Sequence, residues 1–193
     1  GTIFDPAFSI FSFAPPEKWR NPDQSKRLEG EAWRSLRQIV LKKCDNTCAY
    51  CGVYSLKFQI VDHIDGDPEN NNDDNLQVVC QMCNLIKHSG QGCEIQGVVN
   101  LYRYSNYSQN EVIQITRKMR DRGAGDNEII VFLGLREKVQ FKMDRFYLRK
   151  LYGFVTSRIP RERDMYWRWL EYQKLQHGKS DIRQPSKSLS SFT

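Results

Sequence analysis

The sequence lacks any apolar run close to the ~18 residues that a membrane-spanning helix needs. Its first residues also lack the basic segment followed by an apolar stretch that marks a secretory signal. No starting methionine is present, which suggests a fragment or a processed chain. We therefore expect neither a membrane span nor secretion, and no internal repeat is visible.

The 193 residues carry a net charge of +6 that is unevenly placed. Residues 136–193 hold 14 Lys and Arg against 6 Asp and Glu, whereas residues 1–135 hold 15 against 17. A basic end beside a mildly acidic one favours a polyanionic partner such as a nucleic acid. A solvated basic tail without a partner is the alternative that charge alone leaves open.

The sequence contains six cysteines, and four of them form two Cys-x-x-Cys pairs. That spacing is poor for separate disulfides and good for one metal ion. Because no secretion signal is visible, we predict a reducing, cytoplasmic compartment. We further expect the protein to be of prokaryotic or phage origin. Cys44 and Cys93 are left over, and we interpret them as ordinary, partly buried cysteines.

The two pairs predict a zinc site. The first pair is Cys48 and Cys51, followed directly by Gly52, and the second is Cys80 and Cys83. Thiolates three residues apart on a tight turn can supply two of the four tetrahedral ligands of Zn²⁺. Gly52 suits such a turn, because backbone N–H groups must approach sulfur closely. We expect a closed four-cysteine zinc knuckle that stabilises the fold and, by itself, does not indicate catalysis.

The chain divides into four predicted segments. Residues 1–23 are rich in Phe and Pro and predict an extended arm that packs its aromatic side chains elsewhere. Residues 24–92 contain a predicted helix over 25–43 and both cysteine pairs. Residues 93–177 predict a basic accessory region that is mainly helical, and residues 178–193 a polar, Ser-rich, disordered tail.

Local patterns in the accessory region indicate both helices and strands. Ser108 and Glu111 have the spacing of a capping box at the start of a helix. The apolar run 129–133 fits either a strand or a buried helical turn. Residues 139–143 alternate like a strand, whereas residues 148–155 repeat like a helix.

The segment between the cysteine pairs holds the candidate chemistry. A predicted strand over 58–64 carries Asp62 and His63 to its end, and a predicted helix over 83–88 follows the second pair. Neighbouring residues on a regular strand point to opposite faces. The strand must therefore end or twist there if both side chains are to face one phosphate.

These residues resemble the motif of HNH endonucleases in its zinc-knuckle form. The matching stretches are Asp62-His63-Ile64, Asn75-Leu76-Gln77 and Cys80-x-x-Cys83-Asn84-x-x-Lys87. The resemblance covers about residues 27–88 and says nothing about residues 95–193. It implies an α+β fold, with a small ββα-metal HNH core on the four-cysteine zinc knuckle, an N-terminal helix and the mainly helical C-terminal region.

The resemblance also implies roles for individual residues. His63 is the expected general base that activates water, and Asn75 orients it through the backbone. Asp62 and Asn84 are the expected ligands of one catalytic Mg²⁺ or Mn²⁺, which makes the motif H-N-N rather than H-N-H. The metal would stabilise the transition state, and a neutral histidine can accept the proton of water at pH 7. The implied reaction is hydrolysis of phosphodiester bonds in double-stranded DNA.

Other candidates carry alternatives. His88 lies four residues after Asn84, so it is either a third metal ligand or phosphate contact, or a histidine favoured by the dipole at a helix end. Lys87 is either a phosphate contact or a solvated end charge. The acidic stretch 65–74 is interpreted as a solvated loop, because its carboxylates would repel DNA. The predicted DNA contacts of the basic region are Arg158, Arg161 and Arg163.

The main hypothesis is a metal-dependent DNA endonuclease of the kind found in restriction or defence systems. The alternative is a catalytically silent zinc-ribbon module that binds nucleic acid or a protein, and such a module would not need Asp62, His63, Asn75 and Asn84. A third possibility is a nucleolytic subunit of a larger defence or mobile-element complex that docks through residues 95–193. Because one metal centre cuts one strand, double-strand cleavage would require a homodimer or two successive nicks.

Overall fold

The computed structural model describes residues 9, 11–15, 28–91, 94, 97–140 and 150–158. Within these ranges the chain is an α+β mixture of helices and small antiparallel sheets. The helices are α1 (Gly30–Lys43), α2 (Gln81–Lys87), α3 (Gln109–Asp121) and α4 (Asp126–Leu133). The strands are β1 (Ile60–His63), β2 (Leu76–Val79), β3 (Val99–Tyr104), β4 (Arg136–Val139) and β5 (Tyr152–Val155).

The first sheet is the antiparallel pair β1–β2, in which Ile60 lies opposite Val79 and His63 opposite Leu76. Helix α2 follows β2 with one residue between them. Helix α1 packs on this sheet because Val40 is buried among Val61 and other apolar side chains of the two strands. The end of β1 that carries the Asp-His pair lies close to the C-terminal end of α2, where Lys87 donates to Asp62.

The second sheet has the order β4–β3–β5, with β3 antiparallel to both neighbours. Leu101 on β3 lies opposite Val139 on β4 and Gly153 on β5. Helices α3 and α4 pack against Phe154 of β5, and Ile129 is fully buried in the same cluster. This sheet and its helices form the described part of the accessory region.

One hydrophobic cluster joins the knuckle to the accessory region. Its buried members come from the N-terminal arm, the cysteine pairs, α2, α3 and the second sheet. They include Phe13, Ala14, Cys48, Cys51, Cys80, Cys83, Ile86, Val99, Leu101, Ile113, Val139 and Val155. Burial of this shared apolar surface holds both parts of the molecule together.

The structure contains most of the helices and strands predicted from the sequence, but some have different bounds or a different type. The capping box is confirmed. The Ser108 side chain accepts a hydrogen bond from the backbone N–H of Glu111, and the Glu111 side chain accepts one from the backbone N–H of Ser108. The predicted first helix begins at Gly30, and the run 129–133 belongs to helix α4. The helical interpretation of 148–155 is wrong at its end, because Tyr152–Val155 is strand β5.

In the described part of the accessory region, which was expected to be mainly helical, helices α3 and α4 are accompanied by a three-stranded sheet. The strands were hard to recognise because β5 is almost wholly buried, and such a strand lacks the apolar–polar alternation of a half-exposed one. The disordered tail predicted for 178–193 lies outside the described residues. Among the helices described, none has both the length and the apolar character needed to cross a bilayer.

Gly153 allows β5 and α2 to approach closely. A Cβ atom built on Gly153 would lie 2.5 Å from Cγ2 of Ile86, far inside van der Waals contact. We expect Gly153→Ala to lower the free energy of unfolding by about 1–3 kcal/mol, because the core must shift to accept the methyl group.

Urea unfolding measures this effect. The double variant with Ile86→Ala is the matched control, because removing the facing side chain should make the combined loss smaller than the sum of the single losses. Unchanged stability of Gly153→Ala would show that the two elements are not packed as described.

Candidate metal centre and the polar cluster beside it

The two cysteine pairs are held by different local structures. The first lies on a tight turn in which the N–H of Gly52 donates to the carbonyl oxygen of Cys48 at 3.0 Å. Gly52 has a φ of +78°, a conformation that costs a residue with a Cβ atom more than glycine. The second pair begins α2, where the side chain of Cys80 accepts from the backbone N–H of Cys83. The predicted role of Gly52 in the turn is consistent with this geometry.

The four sulfur atoms of Cys48, Cys51, Cys80 and Cys83 lie within 4.8 Å of one another, and all four residues are buried. A tetrahedral Zn²⁺ with bonds of about 2.3 Å places its sulfur ligands about 3.8 Å apart. The Sγ atoms of Cys51 and Cys80 are 3.6 Å apart, close to that separation. The cluster can therefore hold one zinc ion.

The thiols influence one another's ionisation strongly. Hydrogen bonds from the other three thiols hold the pKa of Cys48 well below its ordinary value. The pKa of Cys83 is raised far above its ordinary value, chiefly because its proton is donated to Cys48 and the other sulfur atoms. Four thiolates in this buried space need a bound cation to offset their repulsion.

Asp62 and His63 point to different environments, as expected on a regular strand. Asp62 is buried, whereas His63 is only partly buried. The ring of His63 stacks on Trp33 of α1, with ring centroids 6.0 Å apart, and its Nε2 lies 2.9 Å from Oδ1 of Asn71. Because an amide oxygen can only accept, Nε2 donates the hydrogen bond to Asn71, and in the neutral ring the lone pair then lies on Nδ1.

The Asp62 carboxylate lies in a buried polar network. Its Oδ2 accepts from Nζ of Lys87 at 2.5 Å and from Nε2 of Gln77 at 2.9 Å, and its Oδ1 lies 3.5 Å from Nε2 of His88. Gln77 also donates to the hydroxyl of Tyr50 at 3.1 Å. Burial alone would raise the pKa of Asp62, but the hydrogen bond from His88 and the Lys87 charge outweigh burial and lower it.

Lys87 does not have either predicted role in this arrangement. Its side chain is 1% exposed, so it is not a solvated end charge. Its ammonium group donates to Asp62, to the carbonyl oxygen of His63 at 2.9 Å and to that of Ile64 at 3.2 Å. These three bonds use the three N–H groups of an ammonium, so none remains for a phosphate. The lysine instead holds the end of β1 and neutralises its carboxylate.

Asn75 lies where it can hold the chain that follows His63. Its Oδ1 accepts from the backbone N–H of Asp65 at 3.1 Å, and its Nδ2 donates to Oδ1 of Asp65 and to the carbonyl oxygen of Asn70. Its own carbonyl oxygen accepts from the N–H of Ile64. The predicted orientation of His63 through the backbone remains a prediction, and these bonds are consistent with it.

The remaining predicted site residues lie on α2 or at its end, near the end of the described chain or outside the described residues. His88 ends α2 near Asp62, and its buried Nδ1 has no hydrogen-bond partner among the described residues. Asn84 lies one turn earlier on α2 and is partly buried, so its role as a metal ligand remains a prediction. Arg158 is exposed near the end of the described chain. Arg161, Arg163 and Cys93 lie outside the described residues.

Sequence reasoning missed several residues of this region. Gln77 lies in a strand whose residues are all buried, and nothing in its spacing marked it as a partner of Asp62. Trp33 bordered the apolar face of the first helix, and Asn71 lay in a loop interpreted as solvated. The arm prediction was more informative, because Phe11 packs on Tyr50 with ring centroids 5.1 Å apart.

No protein-family model matches the chain. The chain is 33% identical over 70 residues to the Type 4 apparatus protein DotN of Legionella pneumophila subsp. pneumophila (strain Philadelphia 1). The matched segment covers 36% of this chain and 32% of DotN, so it spans about a third of that relative. A likeness of this extent does not assign the chain to a family.

We expect the purified protein to contain about one zinc ion per chain, because four converging thiols form a closed tetrahedral site. Elemental analysis measures the zinc, and Cys80→Ser should lose both the ion and the folded state. Cys44→Ser is the matched control, since Cys44 is not part of the cluster. A folded protein without zinc would contradict this expectation.

Replacing Lys87 by Met should lower the free energy of unfolding by about 3–5 kcal/mol, because it leaves the Asp62 charge buried and unpaired. Adding Asp62→Asn should recover much of the loss, since the buried charge is then removed. Urea unfolding of the zinc-loaded protein measures both variants. Lys43→Met is the control, because its pair with Asp73 is exposed and should contribute little. Equal losses in Lys87→Met and Lys43→Met would contradict the buried pair.

Proposed function

We propose that this chain is a catalytically silent zinc-knuckle module that binds a protein partner within a larger assembly. In this proposal the strand–strand–helix order is that of an HNH core, and the carboxylate expected to bind the catalytic metal, Asp62, serves instead as a buried structural residue. The order β1, β2, α2 and the positions of Asp62, His63 and Asn75 support the relationship with that core.

The pairing of Asp62 carries this proposal. A catalytic metal ion needs a carboxylate oxygen that the hydrated cation and the substrate phosphate can both reach. The Asp62 side chain is 3% exposed, and its Oδ2 is occupied by Lys87 and Gln77. Releasing the carboxylate to a metal would leave the Lys87 ammonium buried without its counter-charge, which is strongly unfavourable.

The surface beside His63 favours a protein over DNA. The loop that follows β1 carries a cluster of carboxylates, and one of its asparagines, Asn71, holds the His63 ring. Its acidic residues are Asp65, Asp67, Glu69, Asp73 and Asp74. Such a loop repels phosphates and attracts basic side chains. We therefore infer that the partner presents Lys or Arg residues to this surface.

The partial likeness to DotN supports the same conclusion. DotN is named as a Type 4 apparatus protein, that is, as a component of an apparatus. Similarity over 70 residues to such a component favours a role in an assembly over that of an independent enzyme.

A specific observation favours a second candidate, a metal-dependent DNA endonuclease. Oδ1 of Asp62 and Nε2 of His88 lie 3.5 Å apart, a separation that two ligands of one divalent cation can have. Mg²⁺ or Mn²⁺ held there, with Asn84 as a further ligand, would supply charge stabilisation to a phosphate.

In this second candidate His63 acts as the base. Because Nε2 donates to Asn71, the free lone pair on Nδ1 can accept a proton from water. Asn75 holds the backbone that follows the histidine. The exposed Arg158 and the basic residues beyond it would then contact DNA phosphates.

One assay separates the two candidates. Zinc-loaded wild type and His63→Ala are incubated with supercoiled plasmid and Mg²⁺ or Mn²⁺, with a chelator control that removes only the added cation. We expect no nicked product above the chelator control in either protein. Metal-dependent nicking by the wild type that disappears in His63→Ala would overturn the silent module and establish the endonuclease.

A further inference from the structure

A positively charged side chain from a distant segment of the chain contacts the zinc knuckle. Arg117 lies on α3, and its guanidinium donates to Sγ of Cys51 at 3.5 Å and to Sγ of Cys80 at 3.3 Å. One sulfur belongs to each cysteine pair, so the arginine bridges the two halves of the cluster. The sequence resemblance covered neither Arg117 nor any other residue of α3.

Two more side chains of α3 face the same region. Gln114 donates to the carbonyl oxygen of Cys51 at 3.0 Å, and Asn110 donates to that of Ser9 at 2.8 Å. Ser9 in turn donates its N–H to Ala49, inside the first cysteine pair. Asn110, Gln114 and Arg117 follow one another at four and three residues, which places them on one face of the helix.

We propose that Arg117 is the counter-charge of the zinc knuckle and controls how firmly the metal is held. Four thiolates around one Zn²⁺ leave the centre negatively charged, and this charge lies in a buried site where it is poorly screened. A guanidinium that donates to two of the sulfurs lowers the free energy of the loaded site and draws electron density away from the thiolates. The inference rests on the proposed zinc site and not on the proposed absence of catalysis.

The contact also couples two parts of the chain. Arg117 cannot reach the sulfurs unless α3 is seated against the knuckle, where Ile113 shares the hydrophobic cluster with the cysteines. Zinc retention therefore reports on the docking of the accessory region. Removing a residue that hydrogen-bonds to a metal ligand commonly lowers metal affinity by about 10–100-fold.

The test measures the rate at which zinc-loaded protein releases its metal to a chelating indicator dye. We expect Arg117→Ala to accelerate release by about tenfold or more. Arg117→Lys keeps the charge but not the bidentate geometry, so its zinc release rate should lie between those of Arg117→Ala and the wild type. The matched control is Lys118→Ala, which removes the same charge from an exposed neighbour and should release zinc at the wild-type rate.

Thermal unfolding of each loaded variant shows whether it is folded. If Arg117→Ala does not fold, Arg117→Gln replaces it, because glutamine keeps an N–H donor without the charge and should release zinc faster than Arg117→Lys. Wild-type release rates in the folded, uncharged variant would overturn the role of Arg117 alone. A wild-type protein that binds no zinc would overturn the zinc site and this inference together.

Discussion

The convergence of four thiols on one buried point is the constraint on which the rest of the structure depends. The cysteine pairs lie on either side of the first sheet in sequence, so bringing them together closes the chain around β1 and β2. A backbone hydrogen bond joins the two ends of this closed segment, since the N–H of Ala49 in the first pair donates to the carbonyl oxygen of Val78 in β2 at 2.8 Å. A bound cation makes this closure favourable, because the thiolates would otherwise repel one another.

Helix α2 connects two buried charged centres that are neutralised in different ways. Its first turn carries Cys80 and Cys83, whose charge requires a metal from outside the chain and the guanidinium of Arg117. Its last residue is Lys87, which supplies Asp62 with a positive charge from within the chain. A short helix thus fixes the relative positions of both centres. The close approach of β5 at Gly153 seats this helix against the second sheet.

The parts predictable from sequence were those with a local chemical signature. The doubled Cys-x-x-Cys spacing, Gly52 at the turn, the capping box of Ser108 and the strand ending at His63 all depend on residues close in sequence. The parts that were missed depend on tertiary contacts. Strand β5 lacked alternation because it is buried between α2 and the α3–α4 pair, and no local motif marks the polar residues of α3 that face the knuckle.

Lys87 shows most clearly what the sequence alone could not decide. At a helix end beside an expected phosphate site, a lysine was predicted to contact either phosphate or solvent. The fold instead buries it, because the end of β1 supplies one carboxylate and two carbonyl oxygens within reach of its ammonium. Only the distance between β1 and α2, which is set by the sheet and the knuckle together, makes this lysine a structural residue.

The same geometry changes how the motif itself should be interpreted. At the level of sequence, an aspartate, a histidine and an asparagine in HNH order argue for catalysis, since a binding module would have no use for them. In the folded chain these residues have structural partners. Asp62 neutralises Lys87, Lys87 fixes the end of β1, and Asn75 fixes the loop that follows it. Loss of Asp62 or Lys87 would leave a buried charge unpaired, and loss of Asn75 would remove three partly buried hydrogen bonds that hold the loop. Stability alone is therefore a sufficient reason for the chain to keep Asp62, Lys87 and Asn75, and the presence of these three residues does not by itself indicate a nuclease.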